Sequence, residues 1–154
     1  MLTVQKPRLI HAREIEELIK NNSRSSRILK RDYDEICSGI RSFFTVFENN
    51  QVAGCISLAV FSPELGEIRS LIVDQASRGK QLGKMLLAAC ENEARELGIQ
   101  RLFALTLIPE FFLKNGFKTV SRDIFPHKIW QDCLKCERFP DCDETACLKV
   151  LGEF

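Results

Sequence analysis

One stretch of the chain, from Leu65 to Gly98, contains three elements whose order restricts the possible folds. Its first part, residues 65–73, is mostly apolar and predicts a strand. A short loop that carries both glycines and basic side chains follows at residues 78–84. Residues 82–97 then place apolar side chains at helical spacing, and Gly98 lies where a helix is expected to stop. The stretch therefore predicts a strand, a basic loop and a helix.

The loop has the chemical features of an anion-binding site. The first N–H groups of a helix lack partners inside the helix, and the helix dipole is positive at that end, so a phosphate is stabilised there. Gly79 and Gly83 allow close approach of a ligand because they have no Cβ, and Arg78, Lys80 and Lys84 add positive charge. The alternative is a solvated basic turn before an ordinary surface helix, since short motifs also match by chance.

Length and charge limit the class of protein. The 154 residues predict a single domain, residues 1–154, with a core of its own. The net charge of +1 favours neither nucleic acid nor an anionic membrane as a partner. The sequence has no apolar run of membrane-spanning length and no signal segment at its start, which predicts a cytoplasmic protein. Cys37, Cys55 and Cys90 lie in apolar-patterned segments and are interpreted as reduced core residues.

The remaining hydrophobic patterns predict an α/β domain. Residues 42–48 and 52–61 are rich in β-branched and aromatic residues and flank Asn49-Asn50-Gln51, which predicts a hairpin. The predicted order, β-α-α-β-β-β-α-β-α-β with a final strand, gives a mixed sheet with helices on both faces and a parallel pair around the central helix. The other predicted strands are 2–9, 65–74, 101–107, 117–120 and 146–151, and the other predicted helices are 11–21, 32–40 and 109–115.

The loop resembles the acyl-CoA-binding segment of the GNAT N-acetyltransferases, which reads Gln/Arg-x-x-Gly-x-Gly/Ala. Arg78 fits the first position and Gly83 the last, whereas Gln81 replaces the central glycine. A residue other than glycine can serve there if its φ is negative. The resemblance implies the GNAT fold, in which strands four and five splay apart and acetyl-CoA enters the gap. It implies contacts between acetyl-CoA and the strand residues Leu71, Ile72 and Val73, through their backbone, and the loop residues Arg78, Gly79, Lys80, Gln81, Leu82, Gly83 and Lys84.

A closer resemblance covers roughly residues 2–125. The segments VAGCISL around Cys55, GEIRSLIV around Glu67 and LFALTLIPEFFLKNGF at 102–117, with Ile28-Leu29-Lys30-Arg31, are similar to the acetyltransferase domain of bacterial N-acetylglutamate synthases. This family acetylates the α-amine of L-glutamate, the first step of arginine synthesis, by direct attack in a ternary complex. The chain departs from the family at Lys30, where proline is common, and at Phe111, where a tryptophan or similar ring is favoured.

The resemblance and the chemistry together suggest roles for four residues. An amine attacks a thioester only when neutral, and Glu67 corresponds to the family's proposed base. Many GNAT enzymes use a tyrosine after strand five as the acid, but Tyr33 is the only tyrosine here, so the hydroxyl of Thr106 is the candidate. Arg31 and Arg69 are candidates for binding the carboxylates of an acidic acceptor, because a guanidinium pairs bidentately with a carboxylate. For each residue the alternative is an ordinary structural or solvated side chain.

The segment 126–148 departs from the family pattern and is rich in cysteine. Cys133, Cys136, Cys142 and Cys147 could supply four thiolates to zinc, although their spacing is tighter than that of common zinc sites. Cys147 also lies in the apolar run of the final predicted strand. Reduced structural cysteines and redox-active or disulfide-bonded pairs stay open as alternatives, and no metal ligand is assigned.

Two other functions stay open at this level. A GNAT enzyme with another acceptor, such as glutamine or a polyamine, would keep the same fold and the same acetyl-CoA site. A non-catalytic acyl-CoA-binding module would also keep both, but the presence of Glu67 and Thr106 on the predicted cleft strands favours an enzyme. The expected partners are therefore acetyl-CoA and an amino acid or a similar amine, and a homodimer stays open as an alternative to a monomer.

Overall fold

A mixed seven-stranded sheet forms the centre of the molecule. The computed structural model describes residues 2–22, 32–125 and 144–152. The strands are β1 (Val4–Gln5), β2 (Phe43–Glu48), β3 (Gln51–Ser62), β4 (Leu65–Val73), β5 (Arg101–Thr106), β6 (Lys118–Val120) and β7 (Thr145–Val150). Their order in the sheet is β1-β2-β3-β4-β5-β7-β6, and β4–β5 is the parallel pair, whereas the other neighbours are antiparallel.

Within the described residues, four helices cover the two faces of the sheet. They are α1 (Ala12–Asn22), α2 (Tyr33–Ser38), α3 (Leu82–Leu97) and α4 (Pro109–Lys114). Apolar side chains of α1 and α2 pack with Phe43, Cys55 and Ile72 on one face. Those of α3 and α4 pack on the opposite face with Ile56 and Leu102. The predicted α/β fold with helices on both faces is confirmed.

The hairpin between β2 and β3 forms because its turn residues tolerate a left-handed backbone. Asn49 and Asn50 have φ angles of 53° and 63°. Asparagine is enriched in this conformation, and a two-residue turn of this kind matches the twist of the adjoining strands. Glu48 and Gln51 are then directly paired across the hairpin, one residue earlier on β3 than the sequence predicted.

Two predicted elements are shorter in the structure. The first strand was predicted over residues 2–9 but covers only Val4–Gln5, because Pro7 cannot donate to a ladder and the chain enters a 3₁₀ turn at Leu9–His11. The second helix ends at Ser38, where Gly39 leads into a further 3₁₀ turn at Ile40–Ser42. Neither difference alters the order of the elements.

A bulge in β4 changes which face its side chains occupy. Cys55 of β3 pairs with Ile72 and Ser57 pairs with Arg69, so one residue of β3 lies opposite two residues of β4. Ser70 is in this bulge and has a φ of 53°. Ile68 therefore packs on the α3 face, whereas Ile72 packs on the α1 face. Without the bulge, two residues four positions apart would share a face.

The β4–β5 pair separates soon after it begins. The described pairing joins Leu65, Gly66 and Glu67 to Arg101, Leu102 and Phe103, and it stops there. Both strands continue, β4 to Val73 and β5 to Thr106. The predicted splay between strands four and five is therefore present, and it begins beside Glu67.

The described cysteines are unpaired thiols packed in or against the core. Cys55, Cys90 and Cys147 have no exposed surface, and Cys37 is partly buried. Burial raises the pKa of the Cys55 thiol to about 12, and burial also raises the pKa of the Cys147 thiol. Cys133, Cys136 and Cys142 lie outside the described residues, and the zinc hypothesis for the late cysteines stays a prediction.

Candidate active site

The loop between β4 and α3 leaves the start of the helix open. It contains a 3₁₀ turn at Gln75–Ser77, and Gly79 has a φ of 87°. No side chain of the described residues caps the first turn of α3, and this turn carries no acidic residue. The unpaired N–H groups and the positive end of the helix dipole are therefore available to an anion.

A cavity of about 500 Å³ lies at this helix start. Its walls come from the end of β4, the loop, the first turn of α3 and the helix α4 on the other side. Three cations face it, from Arg78, Lys84 and Lys114. The full lining is Val73, Arg78, Gly79, Gln81, Leu82, Gly83, Lys84, Phe111, Lys114 and Asn115. The size and the positive charge suit a phosphate-bearing ligand.

Three of the residues predicted for acetyl-CoA do not line this cavity. Ile72 points into the core on the α1 face, so only its backbone can contact a ligand, as the prediction specified. The backbone of Leu71 lies on the same stretch of β4, beyond the last described pair with β5. Lys80 is engaged elsewhere, because its ammonium group forms an ion pair with Glu48 at the end of β2.

Glu48 was missed by the sequence reasoning. It accepts a hydrogen bond from the Ser77 hydroxyl at 2.9 Å in addition to the contact with Lys80. These hydrogen bonds, that of Lys80 above all, hold the pKa of Glu48 below its ordinary value. The carboxylate thus ties the basic loop to the β2–β3 hairpin. Nothing local in the sequence indicates this contact, because Lys80 lies 32 residues after Glu48.

The backbone of Gln81 is left-handed, with φ of 60° and ψ of 26°. The condition of a negative φ at this position is therefore not met. Instead, Gln81 adopts the conformation that a glycine at the family's central position would adopt most easily. A left-handed backbone at a residue with a Cβ carries local strain.

Replacing Gln81 with glycine is expected to stabilise the fold. Relief of the left-handed strain is worth about 1 kcal/mol, and part of it is offset by the greater freedom of glycine in the unfolded chain. We expect the free energy of unfolding to rise by about 0.5 kcal/mol, measured by urea denaturation. Gln81→Ala, which retains a Cβ, should give no gain. A lower stability of Gln81→Gly than of Gln81→Ala would contradict the strain argument.

Glu67 and Arg69 form a contact on β4 at the start of the splay. The Arg69 Nε atom lies 2.6 Å from Glu67 Oε1, and the guanidinium lies 5.5 Å from the centre of the Phe61 ring. The Glu67 and Arg69 side chains are 11% and 23% exposed, so both are largely shielded from water. The predicted base and one predicted substrate cation are therefore direct partners, which the sequence reasoning did not anticipate.

Thr106 lies at the end of β5, on the other face of the sheet from Glu67. Side chains alternate along β5, with Phe103 and Leu105 in the small cluster that contains Leu65, and Ala104 in the main core under α3. By the same alternation Thr106 faces the α3 side. Its Oγ1 atom accepts a hydrogen bond from the N–H of Ile108 at 3.0 Å, which leaves the hydroxyl hydrogen for another partner.

The structure thus brings together some predicted site residues and not others. Glu67 and Arg69 are in contact, and most of the predicted loop residues share one cavity. Arg31 lies outside the described residues and stays a prediction. Phe111, Lys114 and Asn115 line the cavity, although none was predicted to contact the acetyl donor. Phe111 and Lys114 lie on α4, and Asn115 directly follows it. Because α4 comes directly after β5, one of the two strands that separate, its place in the sequence could have indicated that these residues lie near the opening.

The family model for the acetyltransferase (GNAT) family matches residues 9–117. This range covers more than half of the chain, including the β4–loop–α3 unit and both splayed strands. The chain belongs to the GNAT acetyltransferase family. Its membership confirms the family predicted from the loop and identifies acetyl-CoA as the co-substrate, as predicted.

Relatives of this GNAT protein include proteins of similar length and longer ones. An uncharacterized N-acetyltransferase of Chlorobaculum tepidum is 36% identical over 148 residues, which is 96% of both chains. An amino-acid acetyltransferase of Neisseria meningitidis is 33% identical over 120 residues, or 77% of this chain. The match covers only 28% of that longer protein. An amino-acid acetyltransferase of Mycobacterium tuberculosis is 40% identical over 71 residues, 46% of this chain and 41% of its own length.

Among solved structures, this GNAT domain is similar to N-acetylglutamate synthase from Neisseria gonorrhoeae, which was determined in complex with coenzyme A and N-acetyl-glutamate. The TM-score is 0.89 at 26% identity, and the match covers 99% of this chain and 36% of that one. The chain therefore spans about a third of the length of this structural relative. None of the helices in the described part of the chain has the length and apolar character needed to span a bilayer.

Proposed function

We propose that this GNAT protein transfers the acetyl group of acetyl-CoA to the α-amine of L-glutamate, a reaction of arginine biosynthesis. The observation that carries the proposal is the opening of the β4–β5 pair directly after Glu67, beside a cavity that carries three cations. The names of the relatives support an amino acid as acceptor, and the N-acetylglutamate synthase structure supports glutamate. Because two of these relatives are much longer proteins, their activity is transferred here as a proposal.

The donor side of the proposal rests on the loop and α3. The pyrophosphate of acetyl-CoA would lie at the first turn of α3, where Arg78, Lys84 and the open N–H groups provide positive charge. The pantetheine arm would extend along β4 and pair with the backbone of Leu71, Ile72 and Val73 where β5 has moved away. Unpaired backbone N–H and C=O groups of a strand edge require partners, and an amide-bearing arm supplies them.

The two candidate proton-transfer residues lie on opposite faces of the opened sheet. Thr106 lies on the face of α3 and α4, which is also the face of the cavity. Glu67 lies on the other face, beside Arg69 and Phe61. A thioester held in the gap would thus have the departing thiolate toward Thr106 and the incoming amine toward Glu67. Direct attack in a ternary complex requires that both substrates are bound together, with the amine close to the thioester carbon.

In this proposal the groups on one face of the sheet deprotonate the acceptor, and those on the other face assist departure of CoA. Glu67 would take a proton from the ammonium group of the acceptor, directly or through one water, so that the neutral amine attacks the thioester carbonyl. Backbone N–H groups left open by the splay would stabilise the oxyanion of the tetrahedral intermediate. Collapse of that intermediate breaks the C–S bond. The extra proton that remains on the attacking nitrogen would pass to the thiolate of CoA, relayed by the Thr106 hydroxyl or by water, so that Thr106 ends the step protonated. The products are the N-acetyl amino acid and free CoA.

The contact between Arg69 and Glu67 favours a second acceptor, an amino acid with one carboxylate such as glutamine. Glutamate carries two carboxylates, and each needs a cation or several donors in a partly buried site. Arg69 already interacts with Glu67 at 2.6 Å, so part of its donor capacity is committed. An acceptor with a neutral side chain would need only one cationic partner, which Arg31 could supply.

Steady-state release of free thiol from acetyl-CoA tests the proposal. The protein is assayed with L-glutamate, L-glutamine, a polyamine and no acceptor at equal concentrations. The proposal expects the highest kcat/KM for L-glutamate and no thiol release above hydrolysis without an acceptor. A higher kcat/KM for glutamine than for glutamate would show that glutamine is the preferred acceptor and would contradict the proposal. Binding of CoA without turnover of any amine would indicate a non-catalytic acyl-CoA-binding module.

Arg31→Ala is expected to raise KM for L-glutamate by about ten- to a hundredfold, because a hydrogen bond to a charged group contributes about 1.5–3 kcal/mol. KM for acetyl-CoA should change much less, since Arg31 is assigned to the acceptor. Initial-rate kinetics with each substrate varied in turn measure both values. Arg24→Ala, the same change seven residues earlier in the sequence, serves as the matched control. Equal effects of Arg31→Ala on both substrates would indicate a structural role.

A further inference from the structure

A largely buried ion pair holds the C-terminal end of α4. The Lys149 Nζ atom, on β7, lies 2.6 Å from Glu91 Oε1 and 3.2 Å from Glu91 Oε2, on α3. The same ammonium group donates to the carbonyl oxygen of Asn115 at 2.9 Å. Glu91 is 8% exposed, and it is 58 residues away from Lys149 in sequence. One ammonium group thus connects α3, β7 and the end of α4.

Because Gly116 has no side chain, it leaves space for the Lys149 side chain beside the end of α4. A Cβ on Gly116 would lie 3.2 Å from both Cε and Nζ of Lys149, which is too close for easy accommodation. Gly116 also has a φ of 93°, so it ends the helix in a conformation that other residues rarely adopt. The last carbonyl groups of a helix lack internal partners and lie at the negative end of the dipole. A lysine ammonium group is therefore a favourable partner at this position.

The end of α4 is part of the cavity proposed for acetyl-CoA. Asn115 lines that cavity together with Phe111 and Lys114. Its side-chain Nδ2 donates to the carbonyl oxygen of Phe111 at 2.7 Å. Lys149 therefore supports, through the Asn115 carbonyl, the turn that presents all three cavity residues.

We propose that Lys149, oriented by Glu91, is a positioning residue for acetyl-CoA binding. It fixes the last turn of α4 so that Phe111, Lys114 and Asn115 face the donor site. The inference rests on the proposed function, because it requires that acetyl-CoA occupies this cavity. It extends that function to two residues outside the cavity lining.

A double substitution can distinguish a role of Lys149 in positioning α4 from a role in stabilising the fold. An apolar pair of similar volume often replaces a buried ion pair with no loss of stability, whereas removal of one partner leaves a buried charge without compensation. An apolar pair cannot, however, donate a hydrogen bond to the Asn115 carbonyl. A doubly substituted protein should therefore recover stability without recovering the geometry of α4.

The test compares Lys149→Met with the double variant Glu91→Leu/Lys149→Met. Lys149→Met should lower Tm by about 10 °C, because Glu91 loses its partner. The double variant should return to within a few degrees of the unsubstituted protein. Both should raise KM for acetyl-CoA by about two- to tenfold, the effect of one lost hydrogen bond, with a smaller change in kcat. Lys118→Met, the same change at an exposed position on the neighbouring strand β6, is the matched control and should alter neither value.

Recovery of both Tm and KM in the double variant would overturn the inference, since the ion pair would then be merely structural. The assignment of the cavity is checked separately by the effect of Gly83→Val on CoA affinity. If Gly83→Val leaves that affinity unchanged, the proposed donor site is wrong, and the positioning role is lost with it. If Gly83→Val weakens binding while the double variant has normal KM, only the role of Lys149 is contradicted.

Discussion

Glu67→Gln is expected to lower kcat by about 10²–10⁴-fold at neutral pH, the usual value of general-base assistance. Glutamine keeps the size of the side chain and can still accept a hydrogen bond from Arg69, but it cannot take the ammonium proton of the acceptor. The affinity for CoA should be nearly unchanged, because the cavity proposed for CoA lies on the other face of the sheet. Stopped-time or continuous thiol-release assays measure kcat, and calorimetry measures the affinity.

The effect of Glu67→Gln on kcat should depend on pH. An α-amine is mostly protonated at neutral pH and loses its proton unaided as the pH rises toward its own pKa. The deficit of Glu67→Gln should therefore become smaller at higher pH. Glu64→Gln, at an exposed position just before β4, removes one negative charge nearby and should have little effect. If Glu67→Gln has nearly full kcat, or if its kcat is lower by the same factor at every pH, Glu67 is not the base. The rate enhancement would then come from positioning of the acceptor.

Gly83→Val is expected to weaken CoA binding by at least about tenfold, or 1.4 kcal/mol. A Cβ built at Gly83 lies 3.3 Å from Phe111 Cε1, tighter than most real contacts, and 4.0 Å from Val73 Cγ2. Valine adds two more carbons in the space between α3 and α4, where the cavity lies. Gly83 has an ordinary helical backbone, so the substitution should not strain the main chain.

A graded series makes the steric argument sharper. Gly83→Ala places only the Cβ in the cavity and should weaken binding less than Gly83→Val. Titration calorimetry with CoA gives both affinities, and Tm shows whether each variant is folded. Unchanged affinity in a folded Gly83→Val protein would contradict the assignment of the cavity.

The sequence predicted those parts of the structure that depend on local patterns. The β2–β3 hairpin follows from its β-branched strands and the Asn49-Asn50 turn, and α3 follows from apolar spacing and a glycine stop at Gly98. The position of the basic loop at residues 78–84 followed from the same stretch. The splay was predicted through the family resemblance, because strand patterns alone do not specify where two neighbours separate.

The contacts that the sequence did not reveal join residues far apart in the chain. Glu48 forms an ion pair with Lys80, which is 32 residues later in the sequence, and Glu91 forms one with Lys149, which is 58 residues later. Each pair consists of ordinary surface-type residues, and only the folded sheet brings the partners together. The bulge at Ser70 was equally hidden, because a serine in an apolar strand is compatible with regular pairing. Pairing of Arg69 with Glu67, two residues apart on one face, was the one such contact that strand geometry could have indicated.

A competition assay tests the central claim most directly. The protein is incubated with acetyl-CoA and an equimolar mixture of amino acids and polyamines, and the acetylated products are identified and quantified by mass spectrometry. Early product ratios equal the ratios of kcat/KM, so the preferred acceptor is read in one experiment. We expect N-acetyl-L-glutamate to be the main product and Glu67→Gln to abolish most of it. Predominant acetylation of another amine, or no acetylated amino acid from a folded protein that binds CoA, would contradict it.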